Sequence, residues 1–110
     1  MSDNTPNIHS FIQANLTKYS GRFEAWEHNS ENLQLFCAYY PAGTVIVDHT
    51  HETNNCGIVI QGEIFITIGG VEKSYKTGEW YEVKAGVVHS ARTEELTSEI
   101  EFWFKKSDPT

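Results

Sequence analysis

The sequence predicts an all-β fold, a barrel or sandwich of short strands, and three observations carry that expectation. Runs rich in β-branched and aromatic residues recur about every 8–12 residues. Turn signals containing Gly or Pro stand between them. No alternation of strand with amphipathic helix interrupts the rhythm, which argues against a parallel βαβ sheet. Aromatic residues make up 13% of the chain and hydrophobic residues 39%, enough for a packed core without a disulfide framework.

The 110 residues fit one domain spanning 1–110, with the strand-rich part at about 33–104. Residues 1–7, which include Pro6, read as a loose polar terminus. Asn7 to Leu16 is compatible with a short helix or an edge strand, and its periodicity does not choose. Beyond it the chain reads as all β. Leu33–Tyr40 (LQLFCAYY) is a strand that ends at the Pro41-Ala42-Gly43 turn. Thr44–His51 (TVIVDHTH) is β-branched and alternating, and strict alternation puts Val45, Val47, His49 and His51 on one face. Gly57–Ile68 holds two short strands around Gln61-Gly62, and Gly69-Gly70 marks a hairpin with VEKSY as the return strand. Lys76–Glu79 is a further turn, WYEV a short strand, and Lys84-Ala85-Gly86 a third turn. The last strand is Glu99–Lys106, with Ile100, Phe102 and Phe104 on one face and Glu99, Glu101 and Trp103 on the other.

A net charge of −7 makes nucleic acid and anionic membrane poor partners, since both attract a positive field. Cys37 and Cys56 form neither a CxxC pair nor a disulfide framework, as expected for thiols in a reducing compartment. The N-terminal MSDNTPNI has no basic or apolar leader pattern, and no apolar run approaches the roughly 20 residues a membrane span needs. A cytoplasmic location is the expectation.

His49 and His51, two residues apart on a strand, can converge on one ion, because metal–nitrogen bonds are only about 2.0–2.1 Å long for zinc. Taken alone, such a pair is more often two hydrogen-bonded surface histidines. It does not stand alone. Gly43, His49, His51 and Gly62 fall in the register G-x5-H-x-H-x3,4-E-x6-G, with Asn55 at the acidic position. Gly78, Gly86 and His89 fall in the register G-x5-P-x-G-x2-H-x3-N, with Lys84 in place of the Pro and Thr93 in place of the Asn. These two motifs resemble those of the cupin superfamily. Fifteen residues separate Gly62 from Gly78, as in its small single-domain members, and the resemblance covers about Leu33 to Phe104.

The resemblance implies a double-stranded β-helix, the cupin jelly-roll barrel, with His49, His51 and His89 as ligands to one divalent metal ion inside its mouth. Imidazole suits Zn, Ni, Fe, Mn, Co and Cu alike, so the metal stays open. For the fourth ligand Asn55 stands first, a water second and Cys56 third; Glu52 is out of phase with the histidines. Three histidines and a neutral amide leave the ion its full charge, which favours an anionic substrate. His9 and His28 lie outside the motifs and read as surface residues.

Within the superfamily, the segment from His49 to Trp103 looks most like the small ring-opening cupins of pectin and alginate breakdown, which share the TIGG turn and carry an acidic residue two positions before an aromatic one near the chain end. That resemblance implies Glu101 as general base, Trp103 as a stacking surface for a sugar acid, and Arg92 as an anchor for its carboxylate. The simpler expectation is that the Glu face of the last strand meets solvent and that Arg92 is a rim arginine. Three functions follow: a Lewis-acid enzyme of isomerase, tautomerase or lyase type on a small carboxylate such as an unsaturated sugar acid; a metal-dependent dioxygenase; and a non-catalytic binding or sensor module. The apolar area of LQLFCAYY and EIEFWFK also predicts a homodimer.

Overall fold

The computed structural model describes residues 7–19 and 24–104, with side chains from residue 11 onward. The undecided N-terminal segment is a helix, α1 (Asn7–Asn15), followed by a short strand β1 (Thr17–Lys18). Strands β2 (Glu24–Asn29), β3 (Leu33–Tyr40), β4 (Val45–His49), β5 (Asn55–Gln61) and β6 (Glu63–Ile68) come next. They are followed by β7 (Val71–Lys76), β8 (Trp80–Val83), β9 (His89–Thr93) and β10 (Thr97–Phe104). Two antiparallel sheets result, in the orders β1-β2-β3-β10-β5-β8 and β4-β9-β6-β7. No described helix is long and apolar enough to cross a membrane.

The expected strands from Leu33 to Val83 are present, and Gly62 separates β5 from β6 as the sequence suggested. Its φ of 88° lies in the left-handed region. A Cβ there would also come within 2.5 Å of the Leu96 carbonyl oxygen, so both the turn and the space demand glycine. The last strand begins two residues earlier than expected, at Thr97; Lys105 and Lys106 lie outside the described residues, as do residues 1–6. Strands β1, β2 and β9 were not expected.

The core lies between the sheets. Phe36, Ala38 and Tyr40 of β3, Val59 of β5, Ile64 and Ile66 of β6, and Tyr81 and Val83 of β8 are all buried there. Each strand contributes every second residue, as the pleat requires. Removing such a side chain from water contributes about 1.5–3 kcal/mol. Gly57 serves this packing differently: the Tyr81 ring occupies the space a Cβ would need, at 2.6 Å.

Two expectations about faces are corrected. Along β4, Ile46 pairs with Ala91 and His49 with His89, so Val47 and Asp48 of β4 together oppose the single Ser90 of β9. This bulge inverts the phase of the strand. Ile46 and His49 therefore both line the interior, whereas Val45 and Val47 are 72% and 69% exposed. On β10 the acidic face points inward: Glu99 is 2% and Glu101 6% exposed. The apolar residue Ile100 lies on the outer side, where Ile12 of α1, itself buried, meets it together with Cys37, Tyr39 and Ile60. The helix supplies the apolar cover that makes an outward Ile100 tolerable.

Candidate metal centre

His49 stands at the end of β4 and His89 at the start of β9, directly opposite one another in register. His51 follows two residues beyond β4. The loop carrying it is tied to the turn that precedes His89. The Gly86 amide donates to the His51 carbonyl at 2.9 Å, and the Ala85 amide donates to Asn54 Oδ1 at 2.8 Å. The two sequence motifs are thus clasped together by hydrogen bonds from backbone amides. Thr93, which occupies the position of the family's Asn, makes a similar tie: its hydroxyl donates to the Pro41 carbonyl at 2.8 Å and accepts from the Thr44 amide.

One ligand-capable atom from each of the three histidines lies within 4.8 Å of the others. Their rings are 4.2 Å (His49–His89), 4.7 Å (His49–His51) and 5.0 Å (His51–His89) apart at the centroids. The tautomers follow from local geometry. His49 Nδ1–H donates to the Val47 carbonyl at 2.8 Å and His89 Nδ1–H to the Val87 carbonyl at 2.9 Å. Carbonyls only accept, so Nδ1 carries the proton and Nε2 presents its lone pair. Burial lowers the pKa of His89, and the neighbouring His49 adds to the effect against the opposing hydrogen bond to Val87. The neutral imidazole is the ligating form.

The cavity these residues line holds about 60 Å³. Since one water needs about 10–15 Å³ by this measure, an ion with a few small polar groups fits. Asn55 lines it too. Its Oδ1 is buried and has no hydrogen-bond partner, a state that costs about 1–3 kcal/mol and that a cation would relieve. Three imidazole nitrogens, Nε2 in His49 and His89, and one orphaned amide oxygen form a donor set that fits a divalent metal. Cys56, the next residue, takes the other face of β5, beside Glu82 and Phe102. It does not line the cavity, and burial, then the charge of Glu82, pushes its thiol pKa up. Glu52 is exposed.

Opposite the histidines, Glu101 and Trp103 also line the cavity. Trp103 Nε1 donates to Glu101 Oε1 at 2.8 Å, and the Tyr40 hydroxyl donates to Glu101 Oε2 at 3.0 Å. The indole is held edge-on against His51 at 4.1 Å and against Phe36 at 5.5 Å. Like Cys56, Arg92 is a sequence-selected residue the fold does not bring there. It lies on the outer side of its sheet, over the Phe65 ring, with its guanidinium bonded to Glu72 and Glu94. Among the described residues no Lys or Arg lines the cavity. His28 is exposed, as expected, and the His9 side chain lies outside the described ones.

Tyr40, Tyr81 and Glu99 complete the polar part of the lining and had not been singled out. Tyr81 donates to Glu99 Oε1 at 2.5 Å. Burial above all, then the charge and hydrogen bond of Glu101, raises the pKa of Glu99 well above that of an ordinary glutamate. The same burial and acidic neighbours raise those of Tyr40 and Tyr81. The available signal was the alternation of WYEV and EIEFW, which places these residues on single faces without saying which face is interior.

Comparison with known proteins agrees with this architecture. Among solved structures, KdgF from a Halomonas species is similar at a TM-score of 0.76 and 19% identity, over 88% of this chain and 93% of that one. Protein NMB1881 from Neisseria meningitidis is similar at a TM-score of 0.68 and 18% identity, over 92% and 99%. A cupin superfamily protein from Desulfitobacterium hafniense is similar at a TM-score of 0.74 and 11% identity, over 96% and 95%. At these identities the likeness is one of fold. No curated protein matches in sequence. The cupin domain family model matches residues 36–102, a stretch that takes in both histidine motifs and most of the strands lining the cavity, and the chain belongs to the cupins.

Proposed function

We propose that this cupin is a metal-dependent enzyme of tautomerase, isomerase or lyase type acting on a small carboxylate, an unsaturated sugar acid being the favoured class. The observation that carries the reading is a buried carboxylate, Glu101, fixed by Tyr40 and Trp103 in the same cavity as the three histidines. His49, His51, His89 and Asn55 would hold one divalent ion, Zn, Ni, Fe, Mn or Co. Bound there, the metal supplies Lewis-acid polarisation of a substrate oxygen. Since no Lys or Arg lines the cavity among the described residues, the substrate's negative charge has the metal site as its counterpart. Glu101 takes a proton from the substrate and returns it at another atom. Trp103 offers an apolar wall for the C–H face of a sugar ring. The position of Arg92 on the outer side removes support for its role as a carboxylate anchor.

The test combines metal content with turnover. Purified protein carries about one metal per chain, the His49→Ala/His51→Ala double variant carries none, and the loaded protein converts unsaturated uronates without oxygen. Turnover that stops under anaerobic conditions would replace this reading with a dioxygenase. Specific binding of a uronate without conversion would replace it with a ligand-binding module.

We further propose a cytoplasmic homodimer. Trp80, at 55% exposed, stacks on Phe102 at the outer side of the six-stranded sheet, near the exposed Phe104, and a second copy would cover this surface. A monomer mass in light scattering across the micromolar range would rule the dimer out.

A further inference from the structure

Behind Glu101, the next inward residue of β10 is Glu99; both carboxyls are buried and line the same cavity, with no Lys or Arg in its lining among the described residues. Two like charges sharing a buried site disfavour double ionisation, so the pair retains one proton. Hydrogen-bond counting locates it. Both oxygens of Glu101 already accept, from Trp103 and from Tyr40, which is the arrangement of an ionised carboxylate. Glu99 accepts from Tyr81 at Oε1, so its other oxygen is the one able to carry a proton. Glu99 is also the more deeply buried of the two, and a neutral acid is far cheaper to bury than a charge.

We propose that Glu99 and Glu101 form a carboxyl dyad sharing one proton, held on Glu99, and that Glu99 is a positioning residue for Glu101. The role rests on the reading of Glu101 as the base; the dyad itself rests on geometry alone. Glu99 donates to Glu101 and restrains its rotation. The proton Glu101 takes from the substrate is the one it gives back, so Glu99 ends each cycle as it began. The titratable groups facing the pair are Tyr40 from β3, Tyr81 from β8 and the imidazoles of His49, His51 and His89 across the cavity. Burial raises the pKa of Glu99 in the same direction as the proposal requires.

Isotope-edited infrared spectroscopy of metal-free protein tests the dyad. At neutral pH the wild type shows the C=O band of one protonated glutamic acid. Glu99→Gln removes it, and Tyr81→Phe keeps it at a shifted frequency because one hydrogen bond to Glu99 is gone. Absence of the band from wild type, or its survival in Glu99→Gln, overturns the dyad. On unsaturated uronates, Glu99→Gln lowers kcat about tenfold or more, part of the 10²–10⁴ that a positioned acid–base group contributes, displaces the pH profile and leaves KM nearly unchanged. A lost band with an unmoved kcat and pH profile overturns the positioning role. Wild-type protein inert toward uronates would sink the proposed function, while the infrared result would still decide the dyad.

Discussion

Strands β6 and β10 are both interior strands of their sheets, both alternate apolar with polar residues, and both face the cavity, yet they turn opposite sides inward. β6 buries Ile64 and Ile66 and directs Glu63, Phe65 and Thr67 away. β10 buries Glu99 and Glu101 and directs Ile100 and Phe102 outward. The inward acids are tolerated because two tyrosines and an indole donate hydrogen bonds to them. One wall of the barrel therefore holds the fold together by hydrophobic burial, and the other is a hydrogen-bonded polar array aimed at the histidines.

The contrast is open to mutation. Glu101→Gln, nearly isosteric, is expected to lower turnover about 10²–10⁴-fold while moving the denaturation midpoint little; a steady-state assay beside a urea melt measures both. Ile64→Ala on the other wall should do the reverse, costing about 2–5 kcal/mol of stability with metal stoichiometry retained. Should Ile64→Ala abolish metal binding at temperatures where it is folded, the two walls are not separable. A subtler expectation concerns pH. The folded-state pKa of Glu99 is raised, so its contribution to stability is complete below the unfolded value of about 4.3 and is lost as pH rises toward the folded one. Glu99→Gln, which cannot ionise, should melt progressively higher than wild type as pH increases. Equal pH dependence of the two melting curves would contradict this. The smallest effect belongs to Arg92→Ala, which breaks exposed ion pairs and should leave melting, KM and kcat near wild type. A large rise in KM would return Arg92 to the site.

The same contrast shows what the sequence could and could not convey. Alternation identified the two faces of β10 and the hairpin around Gly69-Gly70, because those depend only on neighbours in the chain. Which face of β10 is interior depends on partners distant in sequence, Tyr40 and Tyr81, and the expectation of solvent-facing acids failed there. Similarly, the histidines were legible from motif spacing, but the β4 bulge was not, so Val45 and Val47 were assigned to the wrong side. The helix at Asn7–Asn15 depends on an apolar surface supplied by Cys37, Tyr39, Ile60 and Ile100, which its own periodicity could not disclose. Strand β9 was missed because HSART is polar and takes its place through pairing with β4 and β6.

The indole of Trp103, seated edge-on against His51, also gives the molecule an optical property. Of the three tryptophans in the chain, this is the one that lines the histidine cavity. An open-shell ion such as Fe(II), Ni(II) or Co(II) seated among the imidazoles would drain its excited state, whereas closed-shell Zn(II) would leave the emission bright. The barrel thus contains its own fluorescent gauge of which metal has arrived.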